Sequence, residues 1–274
     1  MKEYSEEELH LLSEVLPNVA QELRGAMASV YAAANRLAPD TARENNPDVD
    51  RAAAVFTQSY YKMYRVVGNL TDARMLAGTE RFALGADDIV GVVRDVYERA
   101  EALFESKGVT LTFESDKSGQ IIAMNAERIE RLVLNLLSNA LKFTPRGGRV
   151  DIRVHVTPRQ VLLRVSDTGR GIAPERLEHV FDGFLETDVM NPPPHGMGLG
   201  LALCRCIAQG HGGAIVASSE EGKGATFTVS LPNVRPEGGA LRQPRPIPHG
   251  GFNETLVQLS DALGYEAFTH QYLD

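Results

Sequence analysis

Asn135-Leu-Leu-Ser-Asn139-Ala-Leu-Lys142-Phe143-Thr144-Pro145 is the stretch on which the reading of this fold turns. Leu132, Leu136 and Ala140 recur at helical spacing, so the segment reads as the later turns of an amphipathic helix over Glu127 to Phe143. Asn is a poor helix former. Yet Asn135 and Asn139 stand one turn apart on one face, and Lys142 joins them three residues on. Two amides and a lysine gathered beside an apolar stripe are unusual in a helix with a purely structural task. Downstream, Asp167-Thr-Gly169-Arg-Gly171-Ile172 ends an apolar strand with a carboxylate and a glycine turn. Further on, Gly196-Met-Gly198-Leu199-Gly200-Leu precedes another helix, and Phe181 and Phe184 lie between these two motifs.

These residue types suit a nucleotide polyphosphate. An Asn amide oxygen is a hard, neutral ligand of the kind Mg2+ accepts. A lysine approaches phosphate as a point charge. A carboxylate at a strand end can accept hydrogens from an adenine amino group, and glycines there let backbone come close to base and sugar. Backbone N–H groups at a glycine-rich helix start bind anions without side chains. Each motif alone is weak; their order and spacing carry the reading.

In that order the motifs resemble the N, G1, F and G2 boxes of the histidine-kinase ATP-binding domain. The resemblance runs over roughly residues 10 to 231. It includes Arg65-Val-Val-Gly-Asn-Leu-Thr-Asp72-Ala-Arg74-Met-Leu-Ala-Gly78, similar to the stretch leading kinases from the dimerisation domain to the catalytic domain. It implies ATP and Mg2+ as cofactors. Asn139 holds the metal, Lys142 the phosphates and Asp167 the adenine. Asn135, Phe143, Gly169, Gly171, Ile172, Phe181, Phe184, Gly196, Gly198, Leu199 and Gly200 line the nucleotide. Residues 191–195, Asn-Pro-Pro-Pro-His, are expected to form a lid. Gyrase-type, Hsp90-type and anti-sigma-factor relatives carry a Glu where Asn135 stands, as a general base. An imidazole nucleophile needs no such base, so Asn135 favours the histidine-kinase branch.

The implied fold class is α+β. Spacings of three and four predict a helix over residues 6–38, with Pro17 kinking it or starting a fresh one. A polar turn follows over Pro39–Pro47. Asp48–Leu76 is a second helix with Val55, Phe56, Tyr60, Met63, Val66, Val67, Leu70 and Met75 as its stripe. Such a hairpin leaves an apolar stripe uncovered, which predicts a homodimer forming a four-helix bundle. Gly78–Gly85 reads as a hinge. An α/β sandwich of the histidine-kinase/Hsp90-like ATPase type follows, with helices over 89–107, 127–143 and 199–210. Its expected strands are 109–113, 150–156, 161–166, 214–218 and 226–231. The implied domains are 1–78, 79–232 and a Pro/Gly-rich linker and tail over 233–274. Asn253–Leu263 reads as a short helix that docks on the body or binds a partner, with disorder as the alternative.

The departures from the family lie in the hairpin. Aligning Glu22-Leu23-Arg24 puts Gln21 where the phosphoacceptor histidine belongs. Gly25 stands where a Thr or Asn would position water. Glu22, the helper carboxylate, remains. His10 lies three helical turns before Gln21, at ~16 Å. Residues 177–204 contain no Lys or Arg, although phosphoryl transfer draws on positive charge; Glu186 and Asp188 are acidic and His195 alone is a candidate donor there. Two functions stay open. One is a two-component histidine kinase passing the γ-phosphoryl of ATP to a histidine. The other is a nucleotide-binding pseudokinase scaffold for a response regulator or another histidine kinase.

With 274 residues, 43% hydrophobic and 23% charged, the chain has an ordinary globular composition. Its net charge of −8 argues against nucleic acid as a partner. Cys204 and Cys206 are too close in sequence to staple a fold. The acidic N-terminus and the lack of a long apolar run predict a cytoplasmic protein without membrane insertion.

Overall fold

Local signals start each helix. In the computed structural model, which describes residues 10–76, 82–182, 199–236 and 253–270, a π-helical turn Leu11–Val15 leads into α1 (Leu16–Leu37). Pro17 sits in the first turn of α1, and Val15 and Leu16 at the junction keep right-handed helical dihedrals, so the π-helical turn runs into α1 without a break. The polar stretch expected as a turn holds a helix instead, α2 (Asp40–Asn45). Its Arg43 turns inward to 6% exposure and forms an ion pair with Asp50. Asn46 then caps α3 (Pro47–Thr71), its Oδ1 accepting from the N–H groups of Asp48 and Val49. The short α4 (Ala73–Leu76) follows.

The described residues fall into two compact units, with boundaries after Glu80 and Thr255. In the first, α1 packs on α3 through Ala20 and Ala54, both fully buried, and through Tyr31 and Tyr60, whose rings lie 4.5 Å apart. Of the expected α3 stripe, Tyr60, Val67 and Met75 are buried, whereas Val55, Met63 and Val66 are exposed. With Leu11, Val15, Val19, Leu23 and Val30 they form a set of large apolar side chains, each 38–51% exposed.

In the second unit, Asp88 caps α5 (Ile89–Ser106), which follows β1 (Gly85–Asp88). Strand β2 (Thr110–Ser115) comes next, then β3 (Ile121–Met124) and α6 (Ala126–Phe143), capped by Asn125. Strands β4 (Arg149–Val156) and β5 (Gln160–Asp167) form a hairpin before the short α7 (Pro174–Leu177). Helix α8 (Leu199–Gly210) precedes β6 (Ala214–Glu220) and β7 (Gly224–Pro232). The main sheet has the order β2-β4-β5-β7-β6, with β2/β4 parallel and the other pairs antiparallel. Val150, Ile152 and Val154 are buried while Arg149, Arg153 and His155 are exposed, the alternation of a sheet covered on one face. The pair β1/β3 was not legible in the sequence. It is pinned by Asp88, whose Oδ1 accepts both Val90 N–H and Gln120 N–H.

The C-terminal segment folds against the hairpin rather than forming a separate tail. It contains α9 (Glu254–Leu259) and a 3-10 turn Tyr265–Phe268. Leu256, Val257, Leu259 and Phe268 are at most 1% exposed. Phe268 meets Tyr61 edge-on at 5.7 Å. Polar bonds line the seam: Arg65 to Asp261 at 2.7 Å, Gln58 Nε2 to the Leu263 carbonyl at 2.7 Å, and Arg43 to the Phe268 carbonyl at 2.9 Å. Residues 237–252 of the expected linker and 77–81 of the expected hinge lie outside the described residues. No helix among the described residues is long and apolar enough to cross a membrane.

Candidate functional site

The site grows from the C-terminal half of α6. Hydrophobic burial of Leu132, Leu136, Leu137 and Leu141 holds this helix on the sheet. Asn135 is carried into the interior with them at 1% exposure. Neither of its amide atoms finds a nitrogen or oxygen partner among the described residues. Its polar neighbour is the Cys204 thiol, which donates weakly to the Leu132 carbonyl and which burial pushes up to about 12. That thiol is therefore an inert packing group. An ideal Cβ on Gly200 would lie 3.7 Å from Asn135 Oδ1, so the first turn of α8 faces the amide. Asn139 and Lys142 are half-buried on α6. Lys142 Nζ lies 5.8 Å from the Phe143 ring centroid.

The Asp167 loop closes on the end of α6. Gly169 sits so near the Phe143 carbonyl that a Cβ there would come within 2.5 Å of its oxygen; only glycine permits the approach. The Arg170 N–H donates to that carbonyl at 3.3 Å, and the Arg170 guanidinium stacks over the Phe143 ring at 4.5 Å. One oxygen of Asp167 is committed: Oδ1 accepts from Gly169 N–H at 2.8 Å and from Ala225 N–H at 3.3 Å. No described residue donates a hydrogen bond to the other oxygen. Burial pushes the Asp167 pKa up, against the two backbone N–H groups.

The turn between β6 and β7 braces this loop, a contribution that the sequence reading missed. Ile172 N–H donates to Ser219 Oγ at 2.9 Å, and Gly222 N–H to the Arg170 carbonyl at 2.7 Å. Gly224 has φ +92° and lies where a Cβ would strike the Asp167 carbonyl oxygen at 1.9 Å. The available signal was Gly222-Lys-Gly224 between two strands. Gly171 and Ile172 are half-buried in the loop so braced. Phe181 packs edge-on against Phe227 of β7 at 6.2 Å. Asn135, Asn139, Lys142, Phe143, Asp167, Gly169, Gly171, Ile172, Phe181, Leu199 and Gly200 thus all belong to the second unit. Phe184, Gly196, Gly198, Glu186, Asp188 and His195 lie outside the described residues. Gln21 and Glu22 stand exposed on α1 in the first unit, and a Cβ on Gly25 would meet nothing within 4 Å.

His211 is the second group that the sequence did not single out. It is 4% exposed. Its Nδ1 donates to the Ile207 carbonyl at 2.7 Å, which leaves Nε2 to accept Asn125 N–H at 3.0 Å. Burial pushes its pKa below the ordinary histidine value of 6.5. The neutral ring is thus the folded form. In the window between the depressed folded pKa and 6.5 the unfolded chain binds more protons, so stability falls as pH drops through it and is fully present above it. Urea unfolding of the protein between pH 7.5 and 5.5 is expected to show this loss, and His211→Gln to flatten that part of the profile. An unchanged slope in the variant would refute the assignment.

Comparison with known proteins bears on the second unit most directly. Residues 124–235 match the family described as histidine kinase-, DNA gyrase B- and HSP90-like ATPase. The chain is 31% identical over 229 residues to the adaptive-response sensory kinase SasA of Rippkaea orientalis, covering 80% of this chain and 58% of that one. It is 29% identical over 219 residues to the sensor protein SrrB of Staphylococcus aureus, covering 79% of this chain and 37% of that one. Among solved structures it resembles full-length ShkA in complex with AMPPNP, with a TM-score of 0.64 and 28% identity, over 80% of this chain and 45% of that one. The chain therefore spans 37–58% of the length of these relatives.

Proposed function

The chain is a histidine-kinase-family protein whose residues 124–235 form a histidine kinase-, DNA gyrase B- and HSP90-like ATPase domain, and on that premise we propose that it binds Mg-ATP and works in two-component signalling. The observation carrying this reading is Asp167: one carboxylate oxygen is fixed by two backbone N–H groups, which orients the other toward a hydrogen-bond donor such as an adenine amino group. The ShkA relative was solved with the ATP analogue AMPPNP, which supports the same ligand class here.

The residues present fit the metal as well as the nucleotide. Mg2+ seeks oxygen donors and keeps several waters, and Asn139 offers a neutral amide oxygen beside Lys142. Asn135 is a buried amide without a nitrogen or oxygen partner among the described residues, the state expected of a residue that completes its bonds on a polar ligand. When bound, Mg2+ would neutralise phosphate charge. Lys142 adds a point charge to the same end, while Gly200 and the first turn of α8 supply backbone N–H groups. In the kinase reading the γ-phosphoryl passes to a histidine and then to a response-regulator aspartate. The exposed apolar set from Leu11 to Val66 would pair with a second copy to form the four-helix bundle.

Gln21 favours a second reading. It occupies an exposed position on α1 and has no imidazole to phosphorylate. A scaffold that binds nucleotide and a response regulator or another kinase would need no acceptor.

The test is calorimetric titration of the protein with Mg-ATP, then intact-mass analysis with and without brief acid treatment. Saturable Mg-dependent binding is expected, at least tenfold weaker in Asn139→Ala given the loss of one ligand to a charged group. Equal affinity in the variant would sink the site assignment. An acid-labile phosphoryl adduct supports the kinase reading, with His10 the first position to map; binding without an adduct supports the scaffold.

A further inference from the structure

Helices α6 and α8 lie side by side, and three contacts record their register. Asn135 meets Gly200, the Leu132 carbonyl meets the Cys204 thiol, and Asn125 N–H meets His211. As one number falls the other rises, so the helices run antiparallel. The last contact is a part-buried neutral hydrogen bond across the far end of the pair, from the half-buried Asn125 to the buried His211 ring. It is reinforced on both sides. Asn125 Oδ1 caps α6 by accepting Arg128 N–H at 3.1 Å, and its Nδ2 donates to the Ala83 carbonyl at 3.2 Å. The His211 ring packs at 4.8 Å from the Phe82 ring, and Gly210 leaves that ring its space, since a Cβ there would lie 2.5 Å from Phe82 Cζ. Phe82 and Ala83 are the first described residues of the second unit, so the incoming chain is clamped to both helices at one point.

We infer that His211 is a positioning residue for the nucleotide site, locking α8 in register on α6 so that Gly200 faces Asn135, and that Asn125, Phe82 and Ala83 form the rest of the clamp. The inference rests on the nucleotide reading given above. Its physical basis is the rigidity of a helix: Asn135 is ten residues from Asn125, ~15 Å along the α6 axis, and a slip at the clamped end is transmitted to the other. Apolar side chains between the helices resist separation but specify sliding weakly, because their attraction is non-directional. A hydrogen bond to a single ring nitrogen is directional. Removing the acceptor leaves a part-buried N–H without its partner, which the pair relieves by shifting.

Three variants separate this role from simple packing. His211→Phe keeps an aromatic ring beside Phe82 and removes the Nε2 acceptor. His211→Gln keeps a carbonyl oxygen able to accept Asn125 N–H. Gly210→Ala improves helix propensity while displacing the Phe82 ring. Isothermal titration with Mg-ADP is expected to show affinity roughly tenfold weaker in His211→Phe, the equivalent of one lost hydrogen bond. Gly210→Ala should also bind more weakly, and His211→Gln should stay within about threefold of the unaltered protein. Amide exchange without nucleotide should quicken at Arg128 and Ile129 in His211→Phe and not in His211→Gln. Unchanged affinity in His211→Phe overturns the inference, as does equal weakening in His211→Phe and His211→Gln. If the unaltered protein binds no Mg-ADP, the nucleotide reading has failed. The exchange data then decide the clamp alone, and equal protection in all variants refutes it.

Discussion

Asp50→Ala is expected to destabilise the hairpin unit by about 3–5 kcal/mol, the cost of leaving a buried partner charge without compensation. Asp50 and Arg43 are 7% and 6% exposed. Asp50 accepts Arg43 Nε at 2.9 Å, the backbone N–H of His270 at 3.1 Å and His270 Nδ1 at 2.9 Å. One carboxylate therefore ties α2 and the end of the C-terminal segment to α3. Burial pushes its pKa up, but the hydrogen bonds from His270 and Arg43 outweigh this and hold it below the ordinary value of 3.8. A depressed carboxylate contributes stability above its unfolded value and loses it as pH falls through the folded one. Acid below about pH 4 should thus mimic the substitution. Tyrosine fluorescence reports the event, since the chain has no tryptophan and Tyr61 touches Phe268. Asp261→Ala should cost less, because Asp261 is 24% exposed and water can replace it beside Arg65. A loss under about 1 kcal/mol for Asp50→Ala would mean that apolar packing alone holds the segment.

That segment shows where sequence reading reached its limit. Its residues were legible as a short helix from Leu256, Leu259 and Leu263, but not its partners. Arg65 and Asp261 are separated by 196 positions, and no local pattern announces such a pair. Thr255 to Ser260 are all buried, so α9 lacks the polar face that makes helices visible as a periodic stripe. Arg43 misled in the opposite sense. Polar composition between Pro39 and Pro47 reads as a solvated turn, yet a charged side chain with a buried counter-ion becomes part of the interior. Strand β1 was missed because Gly85-Ala-Asp-Asp88 contains no β-branched or aromatic residue; its antiparallel ladder with β3 is joined by the Asp88 carboxylate, which bonds Gln120 N–H across 32 positions.

The second unit was more legible, and for a physical reason. The proposed polyphosphate site draws on residues unusual for their places: amides within a helix, a carboxylate at a strand end, glycines where backbone must crowd. These break local propensity and so stand out from it. The residues that brace them do not. Ser219 acts through a single hydroxyl, Gly224 through a close backbone approach and Ala225 through a main-chain N–H, and His211 looks like any histidine at the end of a helix. Their roles follow from register: β7 must pair with β5 as Thr226 with Ser166 before Ala225 N–H can reach Asp167.

Asp167→Asn is the substitution expected to weaken Mg-ATP binding most, by roughly 100-fold, the loss of a hydrogen bond to a charged acceptor with a donor left opposed to a donor. The amide can keep its oxygen toward Gly169 and Ala225, whose N–H groups now hold Oδ1 at 2.8 and 3.3 Å. Its NH2 then takes the place of the open carboxylate oxygen. On the proposed adenine contact it would face the base's amino group, also a donor, whereas guanine presents an acceptor at the corresponding position. The preference for ATP over GTP should therefore shrink more than overall affinity for phosphates. The fold should not suffer. Burial pushes the Asp167 pKa up, so the ionised carboxylate is the costly form in the folded protein, and its neutral replacement should melt at the same temperature or higher. Lost affinity with unchanged or raised Tm is what a binding carboxylate predicts; a structural one predicts the reverse, and retention of ATP affinity within threefold in Asp167→Asn would remove Asp167 from the site.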